Sequence, residues 1–258
     1  MNYQMIRVSL RDGLAVIAMN RPDVMNALNP LMRAELTHAL LDMGRNARAV
    51  VLTGQGRAFC AGQDLGDKVS AANADLERTL RDEYEPLLRA IYECPVPTLA
   101  AVNGAAAGAG ANIALACDVV IATESAVFLQ AFARIGLIPD AGGTYWLPKQ
   151  IGIAKAMGAA LFAEPITAEE ASDMGMIFEA VADEDFAGHW NARAQTLAKG
   201  PTQAYAHIKE ALRASFDNTL DEQLSLEAKL QGRAGQSRDF KEGVVAFLEK
   251  RTAKFEGR

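Results

Sequence analysis

Leu99-Ala-Ala-Val-Asn-Gly-Ala-Ala-Ala-Gly-Ala-Gly-Ala-Asn-Ile-Ala-Leu-Ala-Cys-Asp-Val-Val-Ile-Ala122 packs four structural signals into one short span. Leu99–Val102 and Val119–Ala122 are short apolar runs, as expected of strands buried on both faces. Between them lies a glycine-rich turn, Asn103–Gly110, and Gly108–Ala116 opens a short apolar helix. Strand, helix and strand in that order form a crossover unit, the building block of α/β folds.

Outward from this unit the same alternation continues. Gln4–Leu10 and Leu14–Asn20, separated by Arg11-Asp12-Gly13, read as a hairpin. Pro30 opens an amphipathic helix through about Met43, with Leu31, Leu36, Leu40 and Leu41 on its apolar side. Ala49–Thr53 is a buried strand and Gly54–Gly66 a glycine-rich loop. Ala72–Tyr92 is helical and charged at first, and Cys94-Pro-Val-Pro-Thr98 stops it. After about Ile151 the pattern turns to helices, with Ile177–Val181 as a single further strand. One helix runs from Gly200-Pro201 to about Ser215, and two follow. Phe240, Val244, Phe247 and Leu248 form an apolar stripe on the last. Such a stripe either folds back on its own core or packs on a neighbouring subunit, and the pattern leaves both open.

The chain has 258 residues, 50% of them hydrophobic and 22% charged, with a net charge of −6. That suits one large domain, alone or with a helical appendage. Lys and Arg are scattered, so neither nucleic acid nor an anionic membrane is an expected partner. Cys60, Cys94 and Cys117 have no metal-type spacing and read as reduced thiols. With no signal-peptide pattern at Met1–Arg7 and no unbroken apolar run of ~18–20 residues, a cytoplasmic protein is expected.

Leu137-Ile-Pro-Asp-Ala-Gly-Gly-Thr144 places Asp140 alone between an apolar run and a Gly-Gly turn. Apolar walls disfavour the charged carboxylate and make it a better base. Phe59-Cys-Ala-Gly-Gln-Asp64 and the Gly108–Gly110 run can aim main-chain N–H groups into the same space. One base and two such donors suit moving a proton next to a carbonyl. Competing readings are weaker. Gly108-Ala-Gly110 follows a strand, but Ile113 replaces the third glycine of a dinucleotide fingerprint and no acidic partner follows. Small residues packing a buried helix explain the alanines better than the glycines. Phe59–Asp64, taken alone, is an ordinary tight turn with Asp64 as a helix cap. His38, His189 and His207 lie in helical stretches, and no Gly-x-Ser-x-Gly elbow occurs. Cys60 has no histidine partner and reads as buried filler.

Four ordered segments resemble the crotonase, or enoyl-CoA hydratase/isomerase, superfamily over nearly the whole chain. They are Asn20-Arg-Pro-Asp-Val-Met-Asn26, Leu52–Asp64, Ala101–Gly110 and Ile138-Pro-Asp-Ala-Gly-Gly143, and Glu242–Arg251 closes the match. The resemblance implies an α/β spiral of ββα units over residues 1–195. It also implies a helical region over 196–258 for oligomerisation and CoA contact, in trimers or dimers of trimers. The implied ligand is an acyl-CoA thioester, with no cofactor beyond the CoA of the substrate and no metal. By motif position its carbonyl oxygen sits between the N–H groups of Gln63 and Ala109. Ala61 falls by the adenine end. Asp64, Leu65, Gly108 and Gly143 fall in the binding segments, and Lys250 and Phe255 match the C-terminal segment that reaches CoA, sometimes from a neighbouring subunit. The family's hydratases use two glutamates to activate water; Asn112 and Phe132 stand at those positions. Asp140 stands where several isomerases of the family keep a carboxylate. Gln63-Asp64-Leu65 and Leu137–Asp140 further resemble its ring-1,2-epoxyphenylacetyl-CoA isomerase branch, which forms oxepin-CoA and is associated with shifting double bonds. The expected activity is therefore an acyl-CoA isomerase with Asp140 as proton shuttle. A linear-chain enoyl-CoA isomerase, a weak hydratase, and a non-catalytic acyl-CoA or RNA-binding scaffold are the alternatives. Asp67–Arg81 is expected to shape the acyl pocket.

Overall fold

The computed structural model describes residues 2–66 and 75–258. The first half of the chain alternates between two sheets. β1 (Ile6–Arg11) and β2 (Leu14–Met19) form the expected hairpin, and α1 (Pro30–Asn46) follows. Asn29 caps α1 by accepting from Met32 N at 2.8 Å, with Pro30 in the first turn, where a missing N–H costs nothing. The chain then lays β3 (Ala49–Gly54), β5 (Thr98–Val102) and β7 (Val119–Thr123) in one sheet. After each of these it adds a short strand to another sheet: β4 (Ala58–Cys60), β6 (Ala105–Ala107) and β8 (Val127–Leu129). Helical segments return it to the start of the next turn. These are α2 (76–92), α3 (Ala109–Leu115), a 3-10 turn at Ala131–Ile135 and α4 (Gly143–Phe162). The result is a spiral of ββα turns. The large sheet has the order β1-β2-β3-β5-β7-β10 and the small one β4-β6-β8-β9, with β9 at Ile166–Thr167 and β10 at Glu179–Val181. The strands are parallel except for the β1–β2 and β8–β9 pairs.

Period-2 alternation explains why the central strands read as unbroken apolar runs. Val50, Leu52, Ala100, Val102 and Val120 face the larger core, shared with α1, α2 and α3. Ala49, Val51, Leu99, Ala101 and Ile121 face the opposite way, onto Phe186, Ala194 and Ala198 of α6 (Asp183–Lys199). The boundary expected at 195/196 therefore falls inside a helix that covers the large sheet. α5 (Ala168–Asp173) lies between β9 and β10.

The loop expected over Gly54–Gly66 contains β4, and β6, β8 and β9 were not expected at all. Three-residue or two-residue strands carry too little period to be read locally; the neighbouring strands define them. The expected helix at Ala72–Tyr92 is described from Leu76, and the part of Asp67–Arg81 up to residue 74 lies outside the described residues. Within α2, Leu80–Tyr84 forms a π-turn just ahead of Pro86, whose missing N–H already breaks the α-helical ladder there.

α7 (Thr202–Ala214), α8 (Leu220–Ala234) and α9 (Arg238–Leu248) complete the chain. Of the apolar stripe on α9, Phe247 is 83% exposed and Phe240, Val244 and Leu248 are also exposed. The stripe does not fold back on this chain's core. No helix among the described residues is long and apolar enough to cross a membrane.

Candidate active site

A cavity of about 290 Å³ opens where three turns of the spiral meet. Its walls are the segment after β4 (Ala61, Gln63, Leu65), the start of α3 (Gly108, Ala109), Phe132 of the 3-10 turn, Tyr84 of α2 and Asp140. Seven residues expected at the site from sequence are thus brought together from four separate stretches of chain, and Tyr84 joins them from a fifth.

Backbone geometry decides which amides face this space. Leu28 N donates to Gly62 O at 2.8 Å, and Asp64 N donates to Leu28 O at 3.1 Å. This parallel bridge uses the peptide groups flanking Gln63, so the Gln63 N–H itself points away from Leu28. A Cβ on Gly62 would stand 2.7 Å from the Ala107 oxygen and 3.4 Å from the Ala109 nitrogen, so only glycine allows the two segments to approach this closely. Ala109 is the first residue of α3 and its N–H has no intrahelical partner. Gly108, with φ +52°, makes the turn that presents it. Neither the Gln63 nor the Ala109 N–H has an acceptor among the described residues.

Asp140 is the one acid among the described lining residues. Its Oδ1 is buried without a hydrogen-bond partner among them. Burial pushes its carboxyl up to about 6. Ala141 (φ 47°) and Gly142 (φ 79°) are both left-handed and set the turn that follows. The Asp140 carbonyl accepts from Asn112 Nδ2 at 2.7 Å and from Gly143 N at 2.8 Å. The loop is therefore pinned through its main chain while the carboxylate has no hydrogen-bond partner among the described residues. Asp140 and Tyr84 also line a neighbouring groove of about 580 Å³ with Tyr92, Ile138 and Trp146. The carboxylate stands at the junction of the two spaces.

Other expected site residues sit elsewhere. Asn112 is fully buried behind the cavity, its Oδ1 accepting from Gln130 Nε2 at 2.8 Å. Its amide holds the Asp140 loop and does not line the cavity. Gly143 lies against that amide, with a built Cβ 2.4 Å from Asn112 Nδ2. Asp64 pairs with Arg21 at 2.8 Å and accepts from Gly66 N at 3.1 Å, so its carboxylate is turned from the cavity and holds the Asn20–Asn26 segment. Lys250 follows α9, and the Phe255 carbonyl accepts from Arg48 Nη1 at 3.0 Å. Neither reaches the cavity within one chain. Cys60 is buried and its thiol is pushed up to about 12 by burial, which suits filler. No cluster of His, Cys, Asp or Glu among the described residues is arranged to hold a metal ion.

One wall residue, Tyr84, and one residue behind the wall, Arg33, went unread in the sequence. Arg33 is 2% exposed and donates from Nη1 to Gln63 Oε1 at 2.8 Å. Tyr84 donates to the same oxygen at 2.5 Å. These partners lie 30 and 21 residues from Gln63, beyond any local pattern.

The comparisons with known proteins agree with this geometry. The family model described as enoyl-CoA hydratase/isomerase matches residues 9–258. A relative from Rhodobacter capsulatus, named "Probable enoyl-CoA hydratase", is 64% identical over 258 residues, covering 100% of both chains. The 1,2-epoxyphenylacetyl-CoA isomerase of Escherichia coli is 45% identical over 251 residues, covering 95% of this chain and 96% of that one. Among solved structures, an enoyl-CoA hydratase from Bacillus anthracis superposes with a TM-score of 0.91 at 31% identity, covering 99% of this chain and 100% of the other. The spiral of ββα turns is thus matched over nearly the whole chain, and the chain belongs to the crotonase, or enoyl-CoA hydratase/isomerase, family, which implies an acyl-CoA thioester as substrate.

Proposed function

We propose that this protein is an acyl-CoA isomerase that moves a proton within its ligand. The observation that carries the reading is Asp140: a half-buried carboxylate whose Oδ1 is sealed from solvent with no hydrogen-bond partner among the described residues, alone among the acids of the described cavity wall. The two positions where the family's hydratases hold water with glutamates carry Asn112 and Phe132. Asn112 is committed to the Asp140 carbonyl and Gln130, and Phe132 gives the cavity an apolar wall. Among the described lining residues no pair of acids is left to activate water.

The thioester oxygen lies between the Gln63 and Ala109 N–H groups. Asp140 takes a proton from carbon beside the carbonyl, and the electron pair moves onto the thioester as an enolate. Each preorganised donor is worth about 2.7–4 kcal/mol as that charge develops. Asp140 then returns the proton at another carbon of the same ligand. On an epoxyphenylacetyl group the same polarisation opens the ring system to the seven-membered oxepin, with unchanged mass. The 45% identity to the Escherichia coli isomerase supports this acyl group. The exposed stripe on α9 supports self-association through the C-terminal helices.

A hydratase is the second reading, favoured by the name of the Rhodobacter capsulatus relative. Incubation with epoxyphenylacetyl-CoA, straight-chain 3-enoyl-CoA and crotonyl-CoA, followed by mass spectrometry and ultraviolet absorbance, separates them. Isomerisation gives a new spectrum at constant mass. A gain of one water on crotonyl-CoA, with no isomerised product from the other two, would replace this reading with hydration.

A further inference from the structure

The Gln63 side chain forms a feature that oxyanion binding by its main chain does not use. Arg33 has only donors, so the group facing it must be the amide oxygen. Arg33 is itself fixed by Leu28 O at 2.6 Å and by Glu83, which accepts from Nε at 2.9 Å and from Nη2 at 2.5 Å. Its guanidinium also lies 4.9 Å from the centre of the Tyr84 ring. Two donors on Oε1 from a braced Arg33 and from Tyr84 lock the carboxamide in one orientation. Nε2 must then point the opposite way. It has no acceptor among the described residues, and it is absent from the sealed polar atoms that lack a partner. Gln63 and Tyr84 both line the cavity, next to apolar Leu65, Phe132 and Leu137.

We propose that Gln63 Nε2 is a specificity-determining donor that recognises an oxygen carried on the acyl group close to the thioester, with Arg33 and Tyr84 as the residues that position it. The inference rests on the acyl-CoA isomerase reading above and narrows its ligand to acyl groups bearing an ether-type or epoxide oxygen beside the reacting carbons. The physical reason is asymmetric. An apolar wall with no donor disfavours an ether oxygen relative to a methylene, because the oxygen loses its water. An oriented N–H reverses that order, and a ligand without the oxygen leaves the donor itself unpaired.

Phenoxyacetyl-CoA and 3-phenylpropanoyl-CoA differ only by oxygen against methylene at this position. Titration calorimetry of both with the full chain reads the preference directly. The expected result is tighter binding of the phenoxy thioester by roughly three- to tenfold, the worth of one net hydrogen bond. In Gln63→Glu, which keeps an oxygen for Arg33 and Tyr84 but removes the donor, the preference should vanish or invert. In Gln63→Met it should do the same, and Tyr84→Phe, which frees one side of the clamp, should give an intermediate ratio. A merely structural role would alter both affinities together and leave their ratio unmoved. Equal binding of the two thioesters by the native chain overturns the inference, as does a preference that survives in both Gln63 variants. In either case the isomerase reading stands, since turnover by Asp140 is measured separately. Failure of both thioesters to bind would overturn the inference together with the reading beneath it.

Discussion

Asp140 and Asp118 are the same residue in opposite circumstances. Asp118, between α3 and β7, receives Thr98 N at 2.8 Å, Thr98 Oγ1 at 2.9 Å, Lys209 Nζ at 2.7 Å and Arg213 Nη2 at 2.6 Å. It fastens α7 to the sheet beside a cavity of about 420 Å³, which is larger than the one at Gln63 and Ala109. Asp140 lines the smaller space, and its Oδ1 accepts from nothing described. Cavity size therefore does not mark the site. The proposed site is instead picked out by an acid without a partner among the described residues, because such a group is costly to keep and perturbed acids cluster where chemistry uses them.

The sharpest way to break this contrast is to neutralise each acid in turn. Asp140→Asn should lose about 10²–10⁴ in turnover while still binding acyl-CoA, measured by steady-state kinetics and calorimetry. Equal turnover would remove Asp140 from the mechanism. In the proposed mechanism the working form is the carboxylate, so native turnover should fall as pH drops through about 6 and level off above it. A profile flat from pH 5 to 8, about the range around this value, would contradict the assignment.

Ala109→Pro comes next in size. Proline is tolerated at the first residue of a helix, and Gly108 before it accepts the restricted geometry, so the fold should survive. The substitution deletes one of the two N–H groups proposed to hold the thioester oxygen and should cost about 10²–10³ in turnover. A loss under tenfold would show that this amide is not an oxyanion donor.

Asp118→Asn should reverse the pattern. It leaves Lys209 and Arg213 without their counter-charge and should cost about 3 kcal/mol of stability in urea unfolding. Turnover of the folded fraction should be close to native. A selective loss of turnover would mean that this joint shapes the site.

The smallest effect concerns Asp140 and stability. Its folded value of about 6 lies above the ~3.9 of an unfolded aspartate, so the folded chain binds more protons between those values. The penalty for the charged form is absent below about pH 4 and complete above about pH 6. Allowing for partial solvent screening, Asp140→Asn should be more stable at pH 7.5 by on the order of 1–2 kcal/mol, a few degrees in Tm, with the gain gone near pH 4. A gain that persists at low pH would have another origin.

The readable parts of the fold were those whose pattern is local. β3, β5 and β7 are apolar runs broken only by Thr53, Thr98 and Thr123 and Gly54 at their ends, because both faces are buried, and the hairpin and α1 carry their own turn and cap residues. β4, β6 and β8 are three residues each, and Ala105-Ala-Ala107 has no period to detect. Pairing with neighbours laid down by earlier turns of the spiral defines them. At the site, Asp140, Gln63 and Ala109 stood out because glycines and an apolar run surround them. The true partners of Asn112 and Asp64 did not, since an amide that braces a loop and an acid that pairs with Arg21 look like ligand residues in one dimension.

By itself the sequence determined the apolar runs of the central strands, where the glycine turns fall, and that one acid is flanked by apolar residues. These follow from hydrophobicity and backbone sterics, which act over a few residues. Leu31 and Leu41, expected on the apolar side of α1, are exposed. Tertiary structure alone decided that the acid's Oδ1 would have no partner among the described residues, that Gln63 and Ala109 would line the same cavity, and that Arg33 and Tyr84 would clamp the Gln63 carboxamide. Those outcomes depend on which distant groups occupy the remaining hydrogen-bonding positions, and only the closed spiral brings those groups within reach.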